Sequence, residues 1–195
     1  MKPTRRSVLA ALLLAPPTML SMVQATRGQS AGAILPPTPA CDGHPEETLA
    51  QTAGPYYRPN APLRQNLLGD GGGRKPITLA GYVLDMDCRP IPDAMVEIWH
   101  ADENGVYDNQ GFRLRAHQFT DTEGRWGFQT VVTEHYSIRT AHYHFRAQRP
   151  GGDILTTQLY FPDHPLNEGD MLFDPRLLLD MQDGGTLGRF DFVLR

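Results

Sequence analysis

The sequence predicts an all-β chain: a β-sandwich with an extended N-terminal arm and at most one short helix. Three observations carry that expectation. From residue 77 onward, short runs in which apolar and polar residues alternate recur at near-regular spacing, the period of strands with one buried face. The 19 glycines and 17 prolines are spread along the chain rather than clustered, which is the punctuation of many short strands. Only "DPRLLLDMQ" carries helix-start chemistry, with Asp174 as N-cap and Pro175 at the first position.

The elements follow in order. Residues 1–25 read as an export signal: "TRRSVLAALLLAPP" places Arg5 and Arg6 before an apolar run from Val8 to Ala15, and "VQA" offers a cleavage site after Ala25. The arginine pair resembles a twin-arginine signal, the export route of folded bacterial proteins. An exported destination, periplasmic or secreted, follows. Residues 26–76 form an arm packing on the core, turn-rich and aperiodic. Within it, Tyr56 and Tyr57 either lean over a pocket or simply pack the arm. Residues 77–195 are expected to form the β-sandwich domain. Strands are expected at 77–86, 94–101, 125–132, 141–148 and 154–161, with a terminal strand in "RFDFVLR" and about seven strands in all. "DENG" and "DTEG" supply turns.

Composition narrows the partners. The chain carries 18 basic and 22 acidic residues. Lys2, Arg5 and Arg6 leave with the signal, so the balance falls to 15 against 22. An acidic surface argues against nucleic acid, whose phosphates need a basic face. No stretch after the signal is long and apolar enough to span a membrane. Cys41 and Cys88, in an oxidising compartment, are free to form a bridge or to stand as separate thiols. Nothing fixes the oligomeric state, and homo-oligomerisation stays open.

The chemistry centres on "HYSIRTAHYHF". His142 and His144 stand at i and i+2 of a strand and so share a face. A same-face pair alone fits a polar surface as readily as a metal. Here it has company: Tyr136 lies six residues before His142, Arg139 lies three before it, and Tyr107 follows a separate turn. A phenol has an ordinary pKa near ~10 and becomes phenolate at neutral pH only beside a strong Lewis acid. Two phenolates and two neutral imidazoles would leave a ferric ion a single residual positive charge, which bound hydroxide cancels. Trp99 is assigned to the core, His100 and His117 to surface or hydrogen-bonding roles, and His164 to a loop. His135 is expected to point away from Tyr136.

The segments "LAGYVLDMDCRPIPDAMVEIWHADENGVYD", "TDTEGRWGFQTV", "HYSIRTAHYHF" and "TTQLYF" resemble the intradiol ring-cleavage dioxygenases, in particular the protocatechuate 3,4-dioxygenase-like group and its short exported relatives. The resemblance runs from about Gly54 to the C-terminus. It implies a β-sandwich holding non-haem Fe(III), with Tyr107, Tyr136, His142 and His144 as metal ligands. It gives Arg139 and Gln158 substrate-stabilising roles and makes Tyr136 the phenolate that leaves the metal and takes a substrate proton. It implies a small aromatic diol and O2 as partners and a cis,cis-muconate as product. Two residues depart from the family pattern: Tyr143, where an aliphatic residue is usual, and Thr140, where proline is common. A metal-free exported binding or adhesion module is the alternative, and a copper or zinc hydrolytic site on the histidine pair is a third reading.

Overall fold

A computed structural model describes residues 46–70 and 75–195. The expected export signal, the arm up to residue 45 with Cys41, and residues 71–74 lie outside the described residues. Cys88 is disulfide-bonded.

Among the described residues, nine strands form two sheets. They are β1 (Pro76–Asp85), β2 (Met95–Trp99), β3 (Arg115–Phe119), β4 (Arg125–Val131), β5 (His142–Gln148), β6 (Ile154–Tyr160), β7 (Asp180–Gln182), β8 (Leu187–Arg189) and β9 (Phe192–Leu194). One sheet runs β4-β1-β8-β7, with β9 also paired to β1; the other runs β3-β2-β5-β6. The facing sides supply the core: Leu79 and Val83 of β1, Trp126 and Phe128 of β4, and Phe192 of β9 meet Val96 and Ile98 of β2, Tyr143 and Phe145 of β5, and Leu159 of β6. Trp126 sits 5.2 Å from Phe145 and 5.3 Å from Phe192, centroid to centroid. Such aromatic pairs add about 0.5–1.5 kcal/mol beyond area burial. Among the described residues no helix is long and apolar enough to cross a membrane.

Two sequence expectations need correction. "DPRLLLDMQ" does not form an α-helix. Asp174 caps as expected, accepting from Arg176 N at 2.9 Å, but only one 3-10 turn follows, Pro175–Leu177. Leu177 and Leu179 are buried while Leu178 is half-exposed, a period of two, and Leu179 N donates to Tyr160 O at 2.9 Å. The edge of β6 captures the segment before a second turn can form. The C-terminal strand is also divided. β8 pairs with Thr78–Ala80 and β9 with Val83–Asp85, both parallel to β1. Phe192, Val193 and Leu194 are all buried, because Thr48 of the arm covers the outer side: Thr48 N donates to Val193 O (3.0 Å) and Val193 N to Thr48 Oγ1 (2.8 Å).

The described part of the arm lies on the sandwich. Gln51 N donates to Thr156 O, Arg64 N to His117 O and Leu67 N to Gln129 O. Leu67 is fully buried in the core, which anchors the segment by about 1.5–3 kcal/mol.

Candidate active site

The site follows from strand register. Tyr143, Phe145 and Ala147 of β5 face the core, so His142, His144 and Arg146 face outward. Cross-strand pairing aligns Arg115, Trp99, His144 and Gln158 as one row across all four strands of the β3-β2-β5-β6 sheet. His117, Glu97, Arg146 and Thr156 form the next row. The arm crosses this outer face, so polar residues on it are buried without belonging to the sandwich core.

Two loops bring the tyrosines to the histidine row. Tyr107 follows a turn held by Asp102, whose carboxylate accepts from Asn104 N (2.9 Å) and Val106 N (3.0 Å) and from Arg113 Nη2 (3.1 Å). Gly105 is required there: its φ is +74°, and a Cβ would lie 2.2 Å from His135 O. This close approach ties the Tyr107 turn to the loop of Tyr136. Tyr136 opens a tight turn closed by Arg139 N donating to Tyr136 O at 3.0 Å.

Tyr107, Tyr136, His142 and His144 form a closed circuit of rings. Centroids are 5.3 Å apart for Tyr107–Tyr136, 5.8 Å for Tyr136–His142, 4.7 Å for His142–His144 and 6.2 Å for Tyr107–His144. His142 Nδ1 lies 2.6 Å from Thr140 O. A carbonyl only accepts, so Nδ1 carries the proton and Nε2 offers its lone pair. That Nε2 is 3.1 Å from His144 Nε2. Burial lowers the pKa of His142 to about 4 and holds that of His144 well below its ordinary value, so both rings are neutral. Burial pushes the Tyr107 phenol well above its ordinary value, and its Oη is buried without a hydrogen-bond partner. A buried phenol oxygen left unpaired beside two neutral imidazoles fits a cation, which would lower that phenol's pKa and satisfy its oxygen.

Arg139 and Gln158 stand beside this circuit. Arg139 Nη2 donates to Gln158 Oε1 at 2.6 Å, and Gln158 Nε2 donates to Thr52 O of the arm at 3.0 Å. Both ends of the Gln158 amide are engaged, so it holds Arg139 in place. Asp170 is a functional residue that the sequence reading missed. Its carboxylate, 1% exposed, accepts Arg139 Nε on both oxygens (3.0 and 2.8 Å), Thr140 N (2.9 Å) and Leu172 N (2.9 Å). Burial opposes the charge on Arg139, and Asp170 more than offsets it, so the guanidinium's pKa is raised. No local signal marked Asp170, which lies 31 residues from Arg139 in an irregular loop.

Other residues depart from expectation or resolve it. Trp99 is buried but outside the sandwich core. It clusters with Ala101 and Tyr107 and stacks on His144 at 4.9 Å and 6°. Alternation along β2 put it on the face opposite Val96 and Ile98, which was the available clue. Tyr56 stacks on Tyr107 at 4.5 Å and meets Tyr136 edge-on at 5.6 Å. Tyr57 packs edge-on against Trp99 at 4.9 Å and contacts Arg146 and Glu97. Tyr143 faces the core and donates to Val131 O at 3.0 Å, so its departure from the family pattern leaves the outer face untouched. His100 is buried, with Nδ1 2.7 Å from Ala101 O and Nε2 2.7 Å from Thr130 Oγ1. His117 Nδ1 lies 2.6 Å from Ala61 O. His135 is exposed and pairs with Glu134, and His164 lies in the loop after β6.

Comparison with known proteins places this arrangement. A family model described as "Dioxygenase" matches residues 52–182. The dioxygenase domain of a dioxygenase–carbohydrate-binding protein fusion from Streptomyces sp. SirexAA-E superposes with a TM-score of 0.73 at 43% identity, over 76% of this chain and 98% of that one. Hydroxyquinol 1,2-dioxygenase of Rhodococcus opacus is 31% identical over 75% of this chain and 56% of its own length. The same-named enzyme of Nocardioides simplex is 29% identical over 73% and 55%. The chain belongs to the intradiol ring-cleavage dioxygenase family. It spans about half the length of the curated relatives it matches.

Proposed function

We propose that the protein is a non-haem Fe(III) dioxygenase that opens a catechol-type ring between its two hydroxylated carbons. Both atoms of O2 enter the product, a cis,cis-muconate-type dicarboxylate. The observation that carries this reading is the closed circuit of two phenols and two neutral imidazoles, with Tyr107 Oη buried and unpaired at its edge. Tyr107, Tyr136, His142 and His144 would hold the iron. When bound, ferric iron would supply the Lewis acidity that favours ionisation of these phenols and of the catechol hydroxyls.

The chain's own residues then have separable tasks. Tyr107 is 6% exposed and clamped between Tyr56 and the Asp102 turn, so it stays in place. Tyr136 is half-exposed on a short turn, so its phenolate is the one free to swing away and accept a catechol proton at Oη. Arg139 presents a fixed positive charge where the aromatic ring becomes electron-rich. Gln158 and Asp170 hold that charge in position from two sides. Tyr56 packs over the ring of Tyr107 and Trp99 over that of His144.

Export is part of the same reading, supported by the Arg5-Arg6 signal pattern and by a disulfide at Cys88. The test is turnover of hydroxyquinol and catechol by iron-reconstituted protein under 18O2. The expected product gains two labelled oxygens, one in each carboxyl group, and the protein is red-brown. A colourless, inactive protein after reconstitution would leave the binding-module reading in its place.

A further inference from the structure

A second group of ligand-competent side chains stands outside the ring circuit. Glu134, His135 and His164 each offer one donor atom, and the three atoms lie within 4.8 Å of one another. His135 Nδ1 is 2.7 Å and His164 Nε2 is 3.8 Å from the same Glu134 Oε1. The backbone N of His135 also donates to that oxygen, at 2.9 Å. The donors of a tetrahedral zinc site, with bonds of roughly 2.0–2.2 Å, stand about 3.3 Å apart. The group is therefore within small side-chain rotations of coordination. Glu134 and His135 are about half exposed and free to make them.

The hydrogen bonds around His164 hold the Nε2 edge of its ring toward the group. Asn167 Nδ2 donates to Phe161 O at 2.9 Å, which orients the amide so that Oδ1 faces Thr140. The single Thr140 hydroxyl proton goes to that Oδ1, at 2.7 Å. Thr140 Oγ1 lies 2.7 Å from His164 Nδ1, and Leu166 N donates to the same nitrogen at 3.3 Å. The ring is thus anchored through Nδ1, with Nε2 3.8 Å from Glu134 Oε1. A metal-bound imidazole is held in this way, one nitrogen toward the ion and the other fixed by the protein.

We propose that Glu134, His135 and His164 form a second metal site, for a divalent transition cation of the zinc class, which clasps the two loops flanking the ring circuit. Two imidazoles favour such an ion over magnesium or calcium, which take oxygen donors. One carboxylate leaves the ion a net single positive charge at a solvent-facing position, where water completes the coordination. The ligands come from two segments. Residues 134–140 carry Tyr136 and Arg139, and residues 161–170 carry Asp170. Thr140 already joins them through His164 and Asn167, and the cation adds a second joint. The site stands on its own geometry and does not rest on the ring-cleavage reading.

The experiment is zinc uptake by the iron-loaded chain, followed by dialysis and metal analysis for both elements. The expected result is one zinc per chain beyond the iron, with the visible band retained. Glu134→Gln, His135→Ala and His164→Asn each weaken that uptake at least tenfold. Zinc raises the melting temperature of the parent chain and not of these variants. The same uptake persists in a His142→Ala chain, which separates this site from the histidine pair. No uptake, uptake matched by loss of iron, or uptake undiminished in all three variants overturns the proposal.

Discussion

At the scale of single residues, the site divides into groups that would touch the metal or substrate and groups that hold those groups still. Tyr107 belongs to the first. Tyr107→Phe is expected to lose most of the iron or the visible band; metal analysis beside an absorption spectrum checks it, and unchanged colour would remove Tyr107 from the ligand set. Asp170 belongs to the second. Asp170→Asn leaves iron and colour in place but frees Arg139 from its two-oxygen clamp. Turnover should fall roughly tenfold to a hundredfold, as small misplacements of a positioned group do, and Asp170→Glu should restore part of it. Equal losses of kcat in Asn and Glu variants, or loss of iron in either, would make the residue structural. Thr140 shows what a single departure permits. Its N–H reaches Asp170 and its hydroxyl joins His164 to Asn167; proline at the same position would supply neither.

At the scale of elements, the arm completes the site. Gly54 sits at φ +67°, and a Cβ there would meet His144 Cε1 at 3.3 Å. Gly54→Ala therefore combines backbone strain of about 1 kcal/mol with pressure on the ring of His144, a proposed iron ligand. Iron should be stripped faster from this variant by a chelator, followed by decay of the visible band; decay at the parent rate would show that the arm is a bystander. The strands were legible because polar and apolar residues alternate in β2 and β5, and because turn residues bound the short runs of β1 and β6. The histidine pair was legible for the same reason, since i and i+2 must share a face. Two things were not. The "RLLLD" segment carries an N-cap and a run of leucines that suits a helix locally, and only the edge of β6 decides otherwise. Trp99 read as core because an apolar residue on a strand is ordinarily buried in the sandwich. What covers its face is the arm, whose path no periodicity announces.

At the scale of the whole molecule, buried neutral histidines link stability to pH. Burial lowers His100 from about 6.5 to about 4. The unfolded chain thus takes up a proton before the folded one does. The stability this ring contributes is present above pH 6.5 and is lost as pH falls toward about 4. Between pH 7 and pH 5 the loss from His100 is about 2 kcal/mol. Denaturant unfolding at the two values should show it, and His100→Gln should flatten that part of the difference; an unchanged slope would mean the ring is solvated in the native state. The two tryptophans divide the molecule between them. Trp126 lies among Phe128, Phe145 and Phe192 in the sandwich interior, whereas Trp99 lies flat against His144. Its indole therefore works as an emissive gauge fitted beside a proposed iron ligand: a paramagnetic, strongly absorbing ion seated on that imidazole would quench one fluorophore and spare the other.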